Sequence, residues 1–343
     1  MSESTYGEGI HQALVALLEA DPTVFVLGQG LWSPWYVGGT MTDLDKRFGR
    51  DRIMDAPVSE NATTGTAIGA AMSGMRPIVV HPRMDFMLLA ADPIINQAAN
   101  WSHLFSAKVP VPVVIRAIIN RGGEQGAQHS QALQAMYAHV PGMKVVMPAT
   151  ARDAYQLLVD AVYDGNPVMY IDDRWCYGQK GELPTGTVPG PIGMGAILRP
   201  GKDLSIIAWS VMVQEALAAA EVLAREGIEA EVVDLRAIKP WDRKLVLESV
   251  RRTGRALVAE ASWATAGMHA EVAAVIASEA FDRLRAPILR VTLPDCPAPS
   301  ARTLEEPYYP KAATVIAAAR RLCGCSPSHP LRQATLAVPG WIC

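Results

Sequence analysis

Short apolar segments rich in branched residues alternate with longer amphipathic segments along most of this chain. Residues 76–81, 111–119 and 167–172 are typical of buried strands, and residues 151–164 are typical of an amphipathic helix. This alternation indicates helices packed against a mostly parallel sheet. A stretch rich in Gly and Pro over residues 178–201 interrupts the pattern, which then resumes. The sequence therefore predicts two α/β domains.

The predicted boundaries follow from this interruption. We expect a first α/β domain over residues 1–185, a linker over residues 186–202, a C-terminal α/β domain over residues 203–325 and an irregular tail over residues 326–343. A chain of 343 residues is long enough for two such domains. Each domain is predicted to hold a mostly parallel sheet flanked by helices.

Composition excludes several classes of function. The net charge of −3 gives no electrostatic reason to expect nucleic acid or an anionic membrane as a partner. No apolar run has the length of about twenty residues that a membrane-spanning helix needs. The N-terminus lacks a signal-type pattern, and the 5 cysteines are scattered and odd in number, which favours a reducing compartment. We therefore expect a cytoplasmic protein.

Glu60 is a lone carboxylate before a long uncharged segment, residues 61–75. It lies where a predicted strand gives way to a helix of small residues. Ligands of open α/β sheets bind beyond the carboxyl ends of strands, so Glu60 is a candidate to bind a ring nitrogen of a ligand. The alternative is a helix start, with Ser59 as the N-cap and Glu60 in the first turn.

Two other predicted strand ends carry residues of interest. His129 lies in the polar, glycine-containing segment 120–131, where it could act as a general acid or base or could serve only to cap a helix. Phe86 follows the strand 76–81, and its ring could stack on a flat ligand or belong to the core. An acid, an aromatic ring and a histidine in one α/β domain would suit a planar heterocycle whose reactivity depends on a proton. No dinucleotide-binding glycine motif, P-loop or nucleophile elbow is present.

Several segments resemble the β subunit of 2-oxoacid dehydrogenase first components of the pyruvate and branched-chain type. This family belongs to the transketolase-like thiamine diphosphate enzymes. The likeness extends in order over roughly residues 5–320 and rests on the segments 51–78, 86–100, 126–131, 141–158, 164–168 and 232–242.

The resemblance implies roles for matching positions. Glu60 matches the glutamate that hydrogen-bonds the aminopyrimidine of thiamine diphosphate, a contact that favours the imino tautomer and so generates the ylid nucleophile. Phe86 matches the aromatic residue that packs on the pyrimidine, and His129 matches a histidine near the substrate-derived intermediate. Gln29, which we group with the cofactor-binding residues, stands where the family usually has an acidic residue.

The resemblance also implies a potassium site in some members of the family. Its ligands would be backbone carbonyl groups around Val113 and Ala161, together with Asp164 and Asn166.

The family implies a partner chain as well. The chain has no Gly-Asp-Gly motif with a downstream Asn, the pattern that holds the Mg²⁺-diphosphate in thiamine enzymes, and in the family a separate α subunit supplies it. The expected assembly is an α₂β₂ heterotetramer with β–β contacts, in which the second domain mainly serves subunit contacts. The expected reaction is decarboxylation of a 2-oxoacid and transfer of the acyl group to the lipoyl domain of a transacylase.

Two other functions stay open at this point. The loop after Gly28, with Gln29 and residues 32–40, departs from the family and keeps open a two-chain carboligase or ketol transferase that uses no lipoyl partner. A non-catalytic scaffold is disfavoured, because Glu60, Phe86 and His129 are all present.

Overall fold

The computed structural model describes residues 3–324, and the chain forms two compact units. The first unit consists of the chain up to Arg121 together with Met136–Gly193 and Ala237–Pro240. The second unit consists of Gly122–Ala135, Met194–Arg236 and the chain from Trp241 onward. The boundaries drawn from the sequence stay a prediction. The predicted irregular tail, with Cys343, lies outside the described residues.

The strands of the described residues are short and mostly buried. In chain order they are β1 (Ser4–Thr5), β2 (Val24–Gly28), β3 (Ile53–Asp55), β4 (Arg76–His81), β5 (Val114–Ile119), β6 (Lys144–Val146), β7 (Val168–Asp173), β8 (Lys180–Gly181), β9 (Ala196–Arg199), β10 (Leu204–Ala208), β11 (Ala230–Asp234), β12 (Ala237–Lys239), β13 (Ala256–Trp263) and β14 (Leu289–Leu293).

Helices connect most of these strands. The α-helices are α1 (Tyr6–Ala20), α2 (Leu44–Phe48), α3 (Glu60–Met72), α4 (Asn100–Leu104), α5 (Gln134–His139), α6 (Ala151–Tyr163), α7 (Val211–Arg225), α8 (Arg243–Thr253), α9 (Met268–Glu279), α10 (Arg302–Tyr308) and α11 (Ala312–Leu322). Short 3₁₀-helices cover Phe86–Ala90, Arg174–Cys176 and Phe281–Arg283, and a π-helix covers Pro93–Ala99. Within residues 3–324, no helix is long and apolar enough to cross a membrane.

The first unit is built on a seven-stranded sheet with the order β12-β6-β7-β5-β4-β2-β3. Neighbouring strands are parallel, except that β12 runs antiparallel to β6 at one edge. Every residue of the central strands β2, β5 and β7 is buried. Strands of this kind need branched apolar residues on both faces, which explains the continuous apolar runs in the sequence.

The strand order reverses at β2. From β2 the chain moves outward to β3, and it then returns across β2 to reach β4 on the other side. Gly28, the last residue of β2, is level with Asp55 on one side and Val80 on the other, so the three carboxyl ends lie at one edge. A Cβ at Gly28 would lie 2.4 Å from the carbonyl oxygen of Val80, which explains the glycine. An edge where the strand order reverses is where open α/β sheets bind ligands.

The second unit is built on a five-stranded sheet with the order β14-β13-β10-β11-β9. Its strands are parallel, except that β9 pairs antiparallel with β11. The predicted fold class, two domains with mostly parallel sheets flanked by helices, is confirmed. The segment interpreted as a linker, residues 186–202, contains the strand β9, which the sequence did not suggest.

Candidate active-site edge of the first unit

Glu60 is the first residue of α3, and only 6% of it is exposed. Its Oε1 accepts a hydrogen bond from the Nε2 of Gln29 at 3.1 Å. Among the described residues, no hydrogen bond reaches the other carboxylate oxygen. Ser59 occupies the N-cap position, but its side chain makes no capping hydrogen bond. The helix start favours a negative charge at Glu60, yet the capping alternative accounts for neither the burial nor the spare oxygen.

The loop after β2 fixes the position of Gln29. The backbone N–H of Gly30 donates to Asp55 Oδ1 at 2.7 Å, which ties this loop to the end of β3. Gly30 has a φ of +67°, and a Cβ there would meet the ring of Tyr36 at 2.1 Å. The indole N–H of Trp32 donates to the carbonyl of Ile53 at 2.8 Å. The loop is therefore attached to its neighbouring strand β3 at two points, Gly30 and Trp32.

Buried charges support the same loop farther along. The guanidinium of Arg116, on β5, makes two hydrogen bonds to Asp172, at 2.8 and 3.1 Å, and a third to Thr40 at 2.9 Å. Arg174 donates to the carbonyl of Tyr36 at 2.6 Å. Burial by itself would lower the pKa of Arg116, but the charge of Asp172 outweighs it and raises that pKa. The permanently charged, fully buried guanidinium of Arg116 thus helps to hold the loop in place.

Phe86 begins a 3₁₀-helix that packs against α3, the helix that Glu60 begins. Its ring stays partly accessible, since 41% of the residue is exposed. Asn61 contributes to this packing through a hydrogen bond of 3.5 Å to the carbonyl of Leu89. A partly exposed ring on a helix that packs against α3, which begins with a buried carboxylate, is an arrangement that can hold a flat, hydrogen-bonding ligand.

His81 is buried against α3, the helix that Glu60 begins. It is the last residue of β4, and its Nε2 lies 3.1 Å from the hydroxyl of Thr64, one turn beyond Glu60. Burial lowers the pKa of His81 to about 4, so the ring is neutral at pH 7. The buried imidazole next to α3 is therefore uncharged at pH 7.

The structure places His129 outside the first unit. By their contacts, residues 122–135, which we name the arm, belong to the second unit, and the grouping of His129 with Glu60 and Phe86 in one domain stays a prediction. His129 is half-buried, and its N–H lies 3.5 Å from the carbonyl of Gly126. Gly122, Gly123 and Gly126 in the arm have positive φ, a backbone conformation that glycine adopts without steric cost.

The predicted potassium ligands lie in the first unit, and Asp164, Asn166 and Val113 have hydrogen-bond partners there. The carboxylate of Asp164 accepts from the ammonium of Lys144 at 2.5 Å and from the amide of Asn166 at 2.8 Å. The carbonyl of Val113 accepts from the N–H of Val168 at 3.0 Å. Ala161 lies in the last turn of α6. A cation here would have to share Asp164 with Lys144, and the potassium site stays a prediction.

Sequence reasoning overlooked two buried carboxylates that contact the arm. Glu260, fully buried on β13, accepts from the Nε2 of Gln134 at 2.8 Å. Glu305, on α10, accepts from the backbone N–H of Glu124 at 3.0 Å. A signal was present for Glu260, because it is the only charged residue in the mostly apolar strand β13. Within the described residues, no cluster of three or more His, Cys, Asp or Glu could hold a metal ion.

Comparisons with known proteins agree with this geometry. The transketolase pyrimidine-binding domain matches residues 2–177, and the transketolase C-terminal domain matches residues 193–315. A solved structure described as a split-gene transketolase, an inactive β4 tetramer, superimposes with a TM-score of 0.76 at 27% identity, covering 94% of this chain and 99% of that one.

Curated relatives are closer in sequence. The β subunit of acetoin:2,6-dichlorophenolindophenol oxidoreductase from Cupriavidus necator is 42% identical, covering 91% of this chain and 95% of the relative. The β-2 subunit of the mitochondrial pyruvate dehydrogenase E1 component from Oryza sativa is 38% identical over 94% of this chain and 86% of its own length. The corresponding β subunit from Rickettsia felis is 37% identical over 93% of this chain and 98% of its own length.

The two matching domains and the edge around Glu60 define a transketolase-like protein of the thiamine diphosphate-dependent class. Within that class, the chain belongs to the family of β subunits of 2-oxoacid dehydrogenase first components. The resemblance inferred from the sequence segments is confirmed.

Proposed function

We propose that this chain is the β subunit of a thiamine diphosphate-dependent 2-oxoacid dehydrogenase and that it acts together with a separate α subunit. Relatives named as β subunits of pyruvate dehydrogenase and of an acetoin oxidoreductase match it over nearly their whole lengths. The observation that carries the proposal is the carboxylate of Glu60, which is buried at the edge where the strand order reverses and has one oxygen without a hydrogen bond from the described residues.

The residues at this edge suit an aminopyrimidine ring. The spare oxygen of Glu60 would take the hydrogen bond of a ring nitrogen, and the exposed face of Phe86 would pack on the ring. When bound, thiamine diphosphate supplies the electron sink that decarboxylation of a 2-oxoacid requires. The role of this chain is to bind and orient the ring and to hold a proton at Glu60.

Gln29 and His129 would have different tasks. The amide of Gln29 already donates to Glu60, so it would fix the carboxylate and leave the other oxygen for the ring. His129 would handle a proton during transfer of the acyl group, for which a half-buried imidazole is suited.

Exposed apolar side chains support a partner at the same edge. Trp35 and Val58, which follow β2 and β3, are 73% and 79% exposed, and Leu89, which follows β4, is 66% exposed. Apolar exposure of this kind is typical of a surface that another chain covers. We infer that the α subunit covers it and carries the Mg²⁺-diphosphate motif, in an α₂β₂ assembly that also has β–β contacts. Cytoplasmic location and a lipoyl-bearing transacylase as the acceptor stay predictions.

The decisive experiment is co-expression of the chain with an α-type chain that carries Gly-Asp-Gly and a downstream Asn. The purified complex is given a panel of 2-oxoacids in the presence of thiamine diphosphate and Mg²⁺, with a lipoyl domain, an aldehyde or no acceptor. Acylation of the lipoyl domain supports the dehydrogenase. Carbon–carbon bond formation with the aldehyde alone would instead identify a carboligase. Absence of decarboxylation by an assembled complex with every substrate would refute the proposal.

A further inference from the structure

The arm, residues 122–135, starts in an unusual backbone conformation. Gly122, Gly123 and Gly126 have φ between +68° and +75°, and the non-glycine Glu124 has a φ of +62°. A non-glycine residue in the left-handed region is unfavourable unless the surroundings hold it there. The bond of 3.0 Å from the N–H of Glu124 to the buried carboxylate of Glu305 is such a restraint.

The other end of the arm is attached to β13. Gln134 is 1% exposed and Glu260 is fully buried, and they are joined by a hydrogen bond of 2.8 Å. The second oxygen of Glu260 accepts from the backbone N–H of His269 at 2.9 Å. An amide–carboxylate bond without competing water is strong, and it fixes the end of the arm relative to the sheet.

Between these two attachments lies a small cavity. It has a volume of about 10 Å³, close to the least that holds one water molecule. Ser130 lines it from the arm and Ser262 lines it from β13. Both serines are 4% exposed, and neither hydroxyl has a hydrogen-bond partner among the described residues. Buried hydroxyls are almost always paired, and a bridging water would satisfy both.

We propose that the arm is a positioning device for His129, held by the Gln134–Glu260 bond and by one buried water molecule that bridges Ser130 and Ser262. Ser130 directly follows His129, so the bridge acts on the histidine's immediate neighbour in the chain. Holding the imidazole in place before substrate arrives avoids an entropic cost during the reaction. The functional part of this inference rests on the role of His129 in the proposed function, whereas the structural part does not.

The anchoring is tested by hydrogen–deuterium exchange of peptides covering residues 122–135 in the full chain. We expect exchange in the arm to become about tenfold faster in Gln134→Met and measurably faster in the milder Ser262→Ala, with the sheet of the first unit unchanged. Ser278→Ala, at an exposed serine of α9, is the matched control and should leave the arm unchanged. Unaltered exchange of the arm in both test variants would overturn the inference.

The water is tested by a high-resolution crystal structure of the full chain. We expect density within hydrogen-bond distance of both serine hydroxyls, and its loss or displacement in Ser262→Ala. A dry cavity, or a direct bond between the two hydroxyls, would refute the bridge.

The link to His129 is tested by a double-mutant cycle on acyl transfer in the assembled enzyme. A residue that acts through His129 slows transfer in the native background but adds no further loss to His129→Ala. We expect Gln134→Met to slow transfer about tenfold alone and not at all in His129→Ala. Fully additive losses would show that Gln134 does not act through His129. Unchanged transfer in His129→Ala itself would refute the proposed role of the histidine and leave the exchange result to decide the anchoring.

Discussion

Glu60 in the first unit and Glu260 in the second are both buried carboxylates on α/β scaffolds, but their hydrogen bonding differs. Both oxygens of Glu260 accept a hydrogen bond, one from Gln134 and one from the backbone of His269. Only one oxygen of Glu60 does so, from Gln29. A buried carboxylate whose acceptors are all used stabilises the fold, whereas one with a spare acceptor is suited to receive a ligand. The contrast predicts opposite consequences for the same substitution.

The largest expected effect is on catalysis at Glu60. Glu60→Gln keeps the size of the side chain but removes its charge and its ability to hold a proton, and we expect decarboxylation by the assembled enzyme to fall about 1000-fold. Glu182→Gln, at an exposed loop position, is the control and should retain full activity. Native-like turnover in Glu60→Gln would place the cofactor elsewhere.

The second expected effect is on stability at Glu260. Glu260→Leu leaves the buried amide of Gln134 and the N–H of His269 without an acceptor, and we expect the free energy of unfolding to fall by about 4 kcal/mol. Urea unfolding followed by circular dichroism measures it. Glu60→Leu should stay within about 1 kcal/mol of the native chain, since little is left unpaired there. Equal destabilisation by Glu260→Leu and Glu60→Leu would contradict the distinction between a structural and a ligand-binding carboxylate.

A third effect is the pH dependence of stability that follows from the burial of His81. The pKa of His81 is lowered to about 4 in the folded chain, so the unfolded chain binds a proton more readily between that pH and about 6.5. The stabilising contribution is therefore complete above pH 6.5 and is lost as the pH falls toward 4, with a size on the order of 3 kcal/mol.

This dependence is measured as the unfolding free energy at several pH values. We expect His81→Gln to flatten the decline between pH 6.5 and 4, whereas His103→Gln, at an exposed histidine of α4, should keep it. A decline of the same size in both variants would show that His81 does not cause it.

The smallest expected effect is on cofactor affinity at Gln29. Gln29→Leu removes the donor that fixes Glu60, and we expect about tenfold more thiamine diphosphate to be needed for half-maximal activity. Assembly with the α subunit, as measured by size-exclusion chromatography, should be unchanged. Gln12→Leu, at an exposed position of α1, is the matched control. Unchanged cofactor dependence would mean that Glu60 is oriented without Gln29.

Local signals made the fold and the Glu60 edge predictable. Branched apolar runs predicted β4, β5 and β7. The position of Glu60 after a short predicted strand correctly placed it near the carboxyl end of a strand. The strand β9 was missed, because its four residues lie among glycines and prolines that usually mark a linker.

Long-range contacts explain the remaining misses. Gln134 and Glu260 are 126 positions apart, and the sequence around either residue does not predict their hydrogen bond. The assignment of the arm to the second unit depends on such contacts and could not be inferred from periodicity. The pairing of Asp164 with Lys144 was also missed. Those two residues are only 20 positions apart, but they lie in different elements and the sequence does not show that the two elements meet.

The attachment of Glu124 to Glu305 has a consequence for how the chain is made. The two residues are 181 positions apart, so the arm leaves the ribosome long before its anchor exists. At about 5–20 residues per second, that interval lasts roughly 10–35 seconds. During translation the arm is therefore synthesised before it can form its contact with Glu305. If the gene were split between the arm and α10, the arm and Glu305 would lie on different polypeptides.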